Sequence, residues 1–260
     1  MKIFPATLAL AALFTAATPA IAQDKGDRRV RIGMGAQVKP SFPGATDSNA
    51  RPYFDIDLAR GDEEFRMETP DDRFGIRLLS IGRFTFGPEA SIQGSRKDRD
   101  VGAPVGKVDT TVELGGFVDY FATDRLRIRA ELVRGVNGHE GLVGQVGFDQ
   151  FWRDGDRYAV SLGPRLIYSN ARYQRAYFGV SPAAAQAAGL PAYRPGGGIH
   201  AVALAGGVQT QFGPRWGLFG YARGERLIGD AAKSPIVREF GQRNQLSAGI
   251  GVSYAFTIRR

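Results

Sequence analysis

Few residues of this chain could carry out acid–base or nucleophilic chemistry. It contains two histidines, His139 and His200, and no cysteine. His139 lies in the turn-like segment Asn137–Glu140 and is predicted to be exposed to solvent. His200 begins an alternating run and is predicted to point outward with Val202 and Leu204. Neither has a neighbouring Ser-plus-acid pattern, so the sequence predicts no catalytic residues and no enzyme.

The composition narrows the class of protein. The absence of cysteine excludes a disulfide framework and a thiolate zinc site, and two isolated histidines predict no metal site or cofactor. Glycine accounts for 35 of 260 residues, well above the usual share of ~7%, which is typical of a chain with many turns. The mean hydropathy of -0.21 is too low for a helical membrane protein. The excess of 34 Lys and Arg over 26 Asp and Glu lacks the motifs of nucleic-acid-binding proteins.

The beginning of the chain predicts export. Lys2 is followed by an apolar stretch over 3–17 and by Ala20–Ala22, which has the small-x-small form that signal peptidase recognises. We therefore expect a cleaved signal peptide over 1–22, a short periplasmic segment over 23–28, a folded body over 29–256 and a tail over 257–260. No later segment has the length of a transmembrane helix.

Apolar and polar residues alternate along most of the body, which predicts strands with two unlike faces rather than helices. In the last run, Leu246, Ala248 and Ile250 alternate with Ser247 and Gly249. Such runs predict twelve strands, with ten as the alternative because the third run is short: 29–38, 53–60, 63–68, 73–80, 83–92, 108–121, 125–134, 141–152, 157–168, 199–212, 215–226 and 245–256.

The lengths of the connections predict how these strands are arranged. Tight turns such as Gly61–Asp62 follow the even-numbered strands, and longer connections such as 169–198 follow the odd-numbered ones. Short periplasmic turns, longer external loops and periplasmic termini are typical of outer-membrane barrels. We therefore predict an all-β protein, a closed antiparallel transmembrane β-barrel in which strands 29–38 and 245–256 meet. A secreted soluble β-sandwich is the alternative.

The predicted inner face of the barrel is charged. Both signs are interspersed without a ring of one sign, so the pattern is consistent with a lumen bridged by ion pairs and equally with an open channel. The lumen-facing candidates are Asp55, Asp57, Arg77, Arg83, Glu89, Glu113, Asp119, Arg127, Arg129, Glu131, Asp149 and Arg165.

The predicted external loops contain basic residues that can bind the phosphates of lipopolysaccharide. They are the segment Ser95–Arg99 and the side chains of Arg172, Arg175 and Arg194. Plain solvated loops are the alternative interpretation. Together with membrane lipid, lipopolysaccharide is the first partner that we expect.

The longest external loop predicts one short helix. Ser181 can cap it, Pro182 suits its first position, Ala183–Ala188 favour helix and Gly189 can end it. We expect this loop to pack with the 227–244 loop over the barrel mouth as a lid or partial plug, with mobile loops as the alternative. The lid candidates are Tyr177, Phe178, Gly179, Val180, Ser181, Ser234, Pro235 and Ile236.

Segments of these loops are similar to the signature of a known family. The specific part comprises Tyr177–Ser181 with the Ala-rich stretch and Leu190–Tyr193 behind it, then Leu227, Gly229–Ala232 and Ser234–Ile236; Glu113–Phe117 and Gly251–Phe256 add to it. Over essentially the whole mature chain, the sequence resembles the MipA/OmpV family of MltA-interacting outer-membrane proteins. One departure is that Phe256 is followed by Thr257–Arg260, whereas outer-membrane barrels commonly end in an aromatic residue.

The resemblance implies an outer-membrane barrel that acts as a structural adaptor, or scaffold, between a lytic transglycosylase and a murein synthase of the cell envelope. The family has no agreed catalytic residues, so its motifs imply structural or interaction roles. The polar inner face leaves a narrow, porin-like channel for small solutes as the alternative function.

Overall fold

The computed structural model describes residues 27–259, and the signal peptide predicted for 1–22 lies outside them. The strands are β1 (Arg28–Pro40), β2 (Ser48–Arg60), β3 (Phe74–Gly75), β4 (Leu79–Ile81), β5 (Phe84–Gln93), β6 (Thr111–Thr123), β7 (Leu126–Gly135), β8 (Leu142–Asp154), β9 (Tyr158–Ser169), β10 (Gly198–Gln211), β11 (Trp216–Leu227) and β12 (Asn244–Ile258). The helices are α1 (Asp98–Val101), α2 (Ala171–Phe178), α3 (Pro182–Ala188), α4 (Gly229–Lys233) and α5 (Pro235–Glu239).

The strands form one antiparallel sheet in the order β2-β1-β12-β11-β10-β9-β8-β7-β6-β5-β3, with β4 also paired with β5. The first and last strands meet as predicted, from Arg28 opposite Ile258 to Val38 opposite Ala248. β12 thus runs two residues beyond the expected end at Phe256. The antiparallel all-β class is confirmed. β2 lies at one edge of the sheet, and β3 and β4 lie at the other. Within residues 27–259, no backbone pairing joins these two edges.

The alternation in the sequence becomes two faces of this sheet. On β1, Ile32 and Met34 are exposed, whereas Arg31 before them and Gly33 between them are buried. On β7, Leu132 is exposed, whereas Arg129 and Glu131 are buried. An apolar outside with a charged inside is the reverse of a soluble β-sandwich and fits a sheet that faces lipid.

The strand predicted over 63–68 is wrong. Residues 61–73 contain no strand and run along the inner face of the curled sheet; we call them the inner segment. Phe65 and Met67 alternate with Arg66 and Glu68 as in a strand, but Phe65 and Arg66 both contact the inner face, Phe65 at Arg29 and Arg31 of β1 and Arg66 at Asp57 of β2. The strand predicted over 73–80 is broken into β3 and β4.

The connections fall into two classes, as predicted. At one end of the sheet, the turn end, lie the short connections 82–83, 124–125, 155–157 and 212–215. At the other, the loop end, lie the connections 41–47, 94–110, 136–141, 170–197 and 228–243, which contain all the helices described. None of the helices in the described part of the chain is long and apolar enough to cross a membrane.

Candidate functional site

Phe65 fixes the inner segment at the turn end. Its ring lies between the guanidinium groups of Arg29 and Arg31, each 4.8 Å from the ring centroid. Its amide donates to Asp156 Oδ1 at 2.9 Å, and Arg29 Nη1 donates to the other oxygen of Asp156 at 2.8 Å. Cation–π contacts and charge-assisted hydrogen bonds therefore tie the start of the segment to β1 and to the β8–β9 turn.

Asp71 and Asp72 join the inner segment to the wall. Arg127 Nη1 donates to Asp72 Oδ2 at 2.8 Å, and Arg165 Nη2 donates to Asp71 Oδ1 at 3.0 Å. Both arginines also pair with Asp149 of β8, each at 2.7 Å. Removing one partner of such a buried network leaves an uncompensated charge, at a cost of about 3–5 kcal/mol.

The inner segment also contacts β2. Asp57 accepts hydrogen bonds from Arg66 Nε at 2.7 Å and from the Arg66 amide at 2.8 Å. The hydroxyl of Tyr53 donates to the carbonyl of Pro70 at 2.6 Å. Since the same segment is bound to β1, β2, β7 and β9, it occupies the space that the curled sheet encloses, which we call the lumen.

Arg129 and Arg73 complete the charge network beside the inner segment. Arg129 pairs with Asp119 and Glu89, each at 3.1 Å, and with Glu131 at 2.7 Å. Arg73, the last residue of the inner segment, pairs with the same Glu131 at 2.6 Å. The mixed signs seen in the sequence therefore meet as ion pairs, within the wall at Arg129 and between the wall and the inner segment at Arg73.

Most lumen-facing candidates lie on this inner face. The buried ones are Asp57, Glu89, Glu113, Asp119, Arg127, Arg129, Glu131, Asp149 and Arg165. Asp55 is half-buried and accepts from Arg31 Nε at 3.0 Å. Arg77 is exposed between β3 and β4, and Arg83 is exposed in the β4–β5 turn.

Four charged residues of the inner segment were not among the predicted lumen-facing residues, because 63–68 and 73–80 were assigned to strands and 69–72 to a loop. The missed residues are Arg66, Asp71, Asp72 and Arg73. Their density was the available signal, since a short stretch with several charges of both signs is unusual for a lipid-facing strand.

The loop-end connections pack together into one apolar cluster, the lid. Four of the five connections contribute buried side chains to it, and the upper ends of several strands complete it. Burying each large apolar side chain contributes roughly 1.5–3 kcal/mol. Its loop residues include Phe42, Val101, Val105, Val108, Tyr173, Tyr177, Phe178, Val180, Ala231, Ile236 and Val237.

The lid candidates from the two specific motifs meet in this cluster. Ser234 Oγ donates to the carbonyl of Phe178 at 2.7 Å, and Tyr193 donates to the carbonyl of Asp230 at 2.9 Å. Tyr177, Phe178, Val180, Ser234, Pro235 and Ile236 are buried, Gly179 is half-buried and Ser181 is exposed. The 170–197 and 228–243 connections are therefore packed against each other.

Arg96 belongs to the lid and not to a phosphate-binding surface. It is buried, its Nη1 donates to the carbonyl of Tyr177 at 2.7 Å, and its Nη2 donates to that of Gly106 at 3.0 Å. Burial lowers the pKa of Arg96, whereas burial and the charge of Glu113 raise the pKa of Tyr177. Expected phosphate ligands that do remain exposed are Lys97, Arg99, Arg172, Arg175 and Arg194.

The predicted helix after Ser181 is confirmed as α3. Ser181 accepts from the amide of Ala184 at 3.2 Å, and Gly189 adopts the left-handed conformation with φ of 67°. No residue of α3 is buried, so this helix does not plug the lumen. The preceding helix α2, which the sequence analysis missed, supplies the buried Tyr173 and Tyr177 instead.

The exposed position predicted for His139 is wrong. His139 is buried, and its Nδ1 accepts from the amide of Gly141 at 2.9 Å. Its Nε2 therefore carries the proton and donates to Glu113 Oε1 at 3.1 Å. Its ring packs against Tyr173 with centroids 4.9 Å apart. The charge of Glu113 and the aromatic underside of the lid explain why this turn residue is buried.

The outward position predicted for His200 is also wrong. A register shift between Ile199 and Ala201 reverses the alternation, so His200 is buried on the inner face. Its Nδ1 lies 3.0 Å from Ser169 Oγ, and Ser169 is fully buried. In the described chain, no carboxylate is hydrogen-bonded to His200, and no group of three or more potential ligands could hold a metal ion.

The family comparison matches residues 32–256 to the model described as MltA-interacting protein MipA. This chain belongs to the MipA family. Its lipid-type outer face and charged inner face are those of an outer-membrane β-barrel protein. No curated protein matches the MipA-family chain.

Solved structures similar to the MipA-family chain are outer-membrane proteins. An outer membrane channel from Pseudomonas putida F1 is 10% identical, with 93% of this chain and 100% of that chain covered and a TM-score of 0.44. The channel DcaP of Acinetobacter baumannii is 9% identical, with 90% and 99% covered and a TM-score of 0.38. The translocator domain of NalP from Neisseria meningitidis is 13% identical, with 90% of each chain covered and a TM-score of 0.38. Similarity this distant carries no functional argument.

Proposed function

We propose that this protein is an outer-membrane scaffold for peptidoglycan-processing enzymes and that its lumen does not conduct solutes. The observation that supports the proposal is the filled lumen, in which Asp71 and Asp72 of the inner segment are bound by Arg165 and Arg127 of the wall. A barrel whose lumen is filled in this way can bind partners through its surface but has no path for solutes.

The proposal includes closure of the sheet into a barrel. In hydrocarbon, each unpaired backbone group costs several kcal/mol, so the free edges of β2 and β4 must be paired or covered. β2 has features of a strand whose pairing on one side is incomplete: Pro52 lacks an amide hydrogen, and the Asp57 side chain accepts from the Leu58 amide at 2.7 Å. We infer that β2 and β4 approach each other in the membrane.

The proposed partners are a lytic transglycosylase of the MltA type and a murein synthase. The family itself supports the first, because it is named for an MltA-interacting protein. Export by a signal peptide over 1–22 would deliver the chain to the periplasm, and the short turns of outer-membrane barrels face that compartment, where both enzymes act. At the loop end, Arg172, Arg175 and Arg194 are the proposed contacts with lipopolysaccharide phosphate.

Capture of the two named enzymes tests the scaffold proposal. The tagged full-length protein is purified from mildly cross-linked membranes, and the bound fraction is probed with antibodies against an MltA-type transglycosylase and against a murein synthase. An unrelated tagged outer-membrane barrel serves as the control. Enrichment of both enzymes over the control is expected, and recovery at the control level would contradict the proposal.

A narrow solute channel is the second candidate function, and the charged inner face favours it. Such a channel requires the inner segment to leave the lumen, because this segment contacts β1, β2, β7 and β9. Its displacement breaks the ion pairs of Asp71 and Asp72. Conductance in planar bilayers distinguishes the two functions.

A further inference from the structure

The inner faces of β11, β12, β1 and β2 form a concave patch near the loop end. The strand register places Tyr221, Gly249, Gln37 and Arg51 in one row across these strands. Because Gly249 has no side chain, Tyr221 reaches across β12, and its hydroxyl donates to Gln37 Oε1 at 2.8 Å. A Cβ at Gly249 would lie only 2.9 Å from Tyr221 Cε1 and 3.0 Å from Gln37 Cβ. The floor of the patch therefore depends on glycine.

Two cations border this patch without a carboxylate partner among the ion pairs of residues 27–259. Lys39 Nζ lies 5.9 Å from the centroid of the Tyr221 ring. Arg51 Nη2 donates only to a carbonyl, that of Ser41, at 3.3 Å. Both side chains belong to half-buried residues, so part of the surface of each residue remains exposed to solvent.

The neighbouring charges do not neutralise these cations. Arg223 and Arg51 repel Lys39, and the carboxylate that attracts it is Asp71. Asp71 is already bound by Arg165 at 3.0 Å and by Arg223 at 3.4 Å. Positive charge therefore remains in excess in a partly desolvated concavity, where an anion gains more from charge-assisted hydrogen bonds than it does in open water.

We propose that Lys39 and Arg51, with Tyr221 and Gln37 beside them, bind a small anion that carries a carboxylate or phosphate group. Lys39 supplies a point charge, and Arg51 supplies a planar fork that suits two oxygens. Beside the site, Tyr53 is hydrogen-bonded to Pro70 of the inner segment and Arg51 to Ser41 of the 41–47 connection. This position limits the ligand to a small solute, and the proposal does not depend on the scaffold function.

Isothermal titration of the refolded full-length protein with inorganic phosphate and, separately, with acetate tests the site. Saturable binding of at least one anion is expected, and the anion that binds identifies the phosphate or the carboxylate as the recognised group. The double variant Lys39→Gln/Arg51→Gln should bind at least about tenfold more weakly. The matched control Lys107→Gln/Arg238→Gln removes the same charge from exposed positions of the loop end and should bind like the wild type.

Gly249→Ala provides a second test that changes no charge. The added methyl group meets Tyr221 and Gln37, so binding should weaken while the cations stay in place. It also keeps the proposal testable if the double variant does not refold, as judged by its heat-modifiable migration. The proposal is overturned if the wild type binds neither anion saturably, or if folded Lys39→Gln/Arg51→Gln and Gly249→Ala proteins both bind like the control.

Discussion

The hydroxyl of Ser234 donates a hydrogen bond to the carbonyl of Phe178 at 2.7 Å, and both residues are fully buried in the lid. The bond joins the 228–243 connection to the 170–197 connection. The two segments that carry the family resemblance are thus in direct contact, although Phe178 and Ser234 are 56 positions apart in the sequence.

Ser234→Ala should loosen the lid. The variant leaves the buried carbonyl of Phe178 without its donor, which costs about 1–3 kcal/mol. We expect faster proteolysis of the 170–197 connection in intact membranes, with unchanged heat resistance of the sheet. Ser48→Ala, at an exposed position of β2, is the control; equal cleavage of both variants would show that the bond does not hold the lid.

Asp71→Asn/Asp72→Asn should release the inner segment. Arg127 and Arg165 each lose a charged partner while keeping Asp149, so the segment is held less tightly. We expect single-channel steps in planar bilayers that the wild-type protein does not show. Asp62→Asn changes an exposed residue of the same segment and should stay silent. If the double variant also showed no single-channel steps, the ion pairs of Asp71 and Asp72 would not be what keeps the lumen filled.

The alternation of apolar and polar residues predicted the antiparallel β class and the two faces of the sheet. Each strand has one face towards lipid and one face towards the charged lumen. It failed where a side chain is held by something other than its own strand. Phe65 alternates like a wall residue but packs between Arg29 and Arg31. His200 changes face at a bulge that leaves no mark in the sequence. His139 is buried by Glu113 and Tyr173, which are distant in the chain.

Closure of the barrel predicts cross-linking between β2 and β4. The chain has no cysteine, so the only thiols are those of cysteine pairs introduced at Ile56 or Leu58 of β2 and at Leu79 of β4. Their exposed outer-face positions allow bifunctional thiol reagents of increasing length to measure the separation in membranes. Linking by the shortest reagent is expected for at least one pair. Ile32→Cys/Leu218→Cys is the control, because it places two thiols on the same face of β1 and β11, which are separated by β12. Failure of every reagent to link the β2–β4 pairs would contradict closure.

Deletion of 177–190 should disrupt the lid without opening the lumen. It removes Tyr177 and Phe178 from the apolar cluster, so the remaining loop-end connections should become sensitive to protease. The inner segment keeps its contacts with Arg127 and Arg165, so conductance should stay at the wild-type level. A rise in conductance upon this deletion alone would show that the lid, and not the inner segment, closes the lumen.

The conductance of the purified wild-type protein in planar bilayers tests the filled lumen most directly. The inner segment is bound to opposite sides of the sheet through Asp57, Asp71 and Asp72, and charge pairs occupy the space beside it. We therefore predict that folded, heat-modifiable protein inserts without single-channel steps, under the same conditions in which Asp71→Asn/Asp72→Asn produces them. Stable, reproducible steps from the wild-type protein would contradict the occluded scaffold and establish the channel.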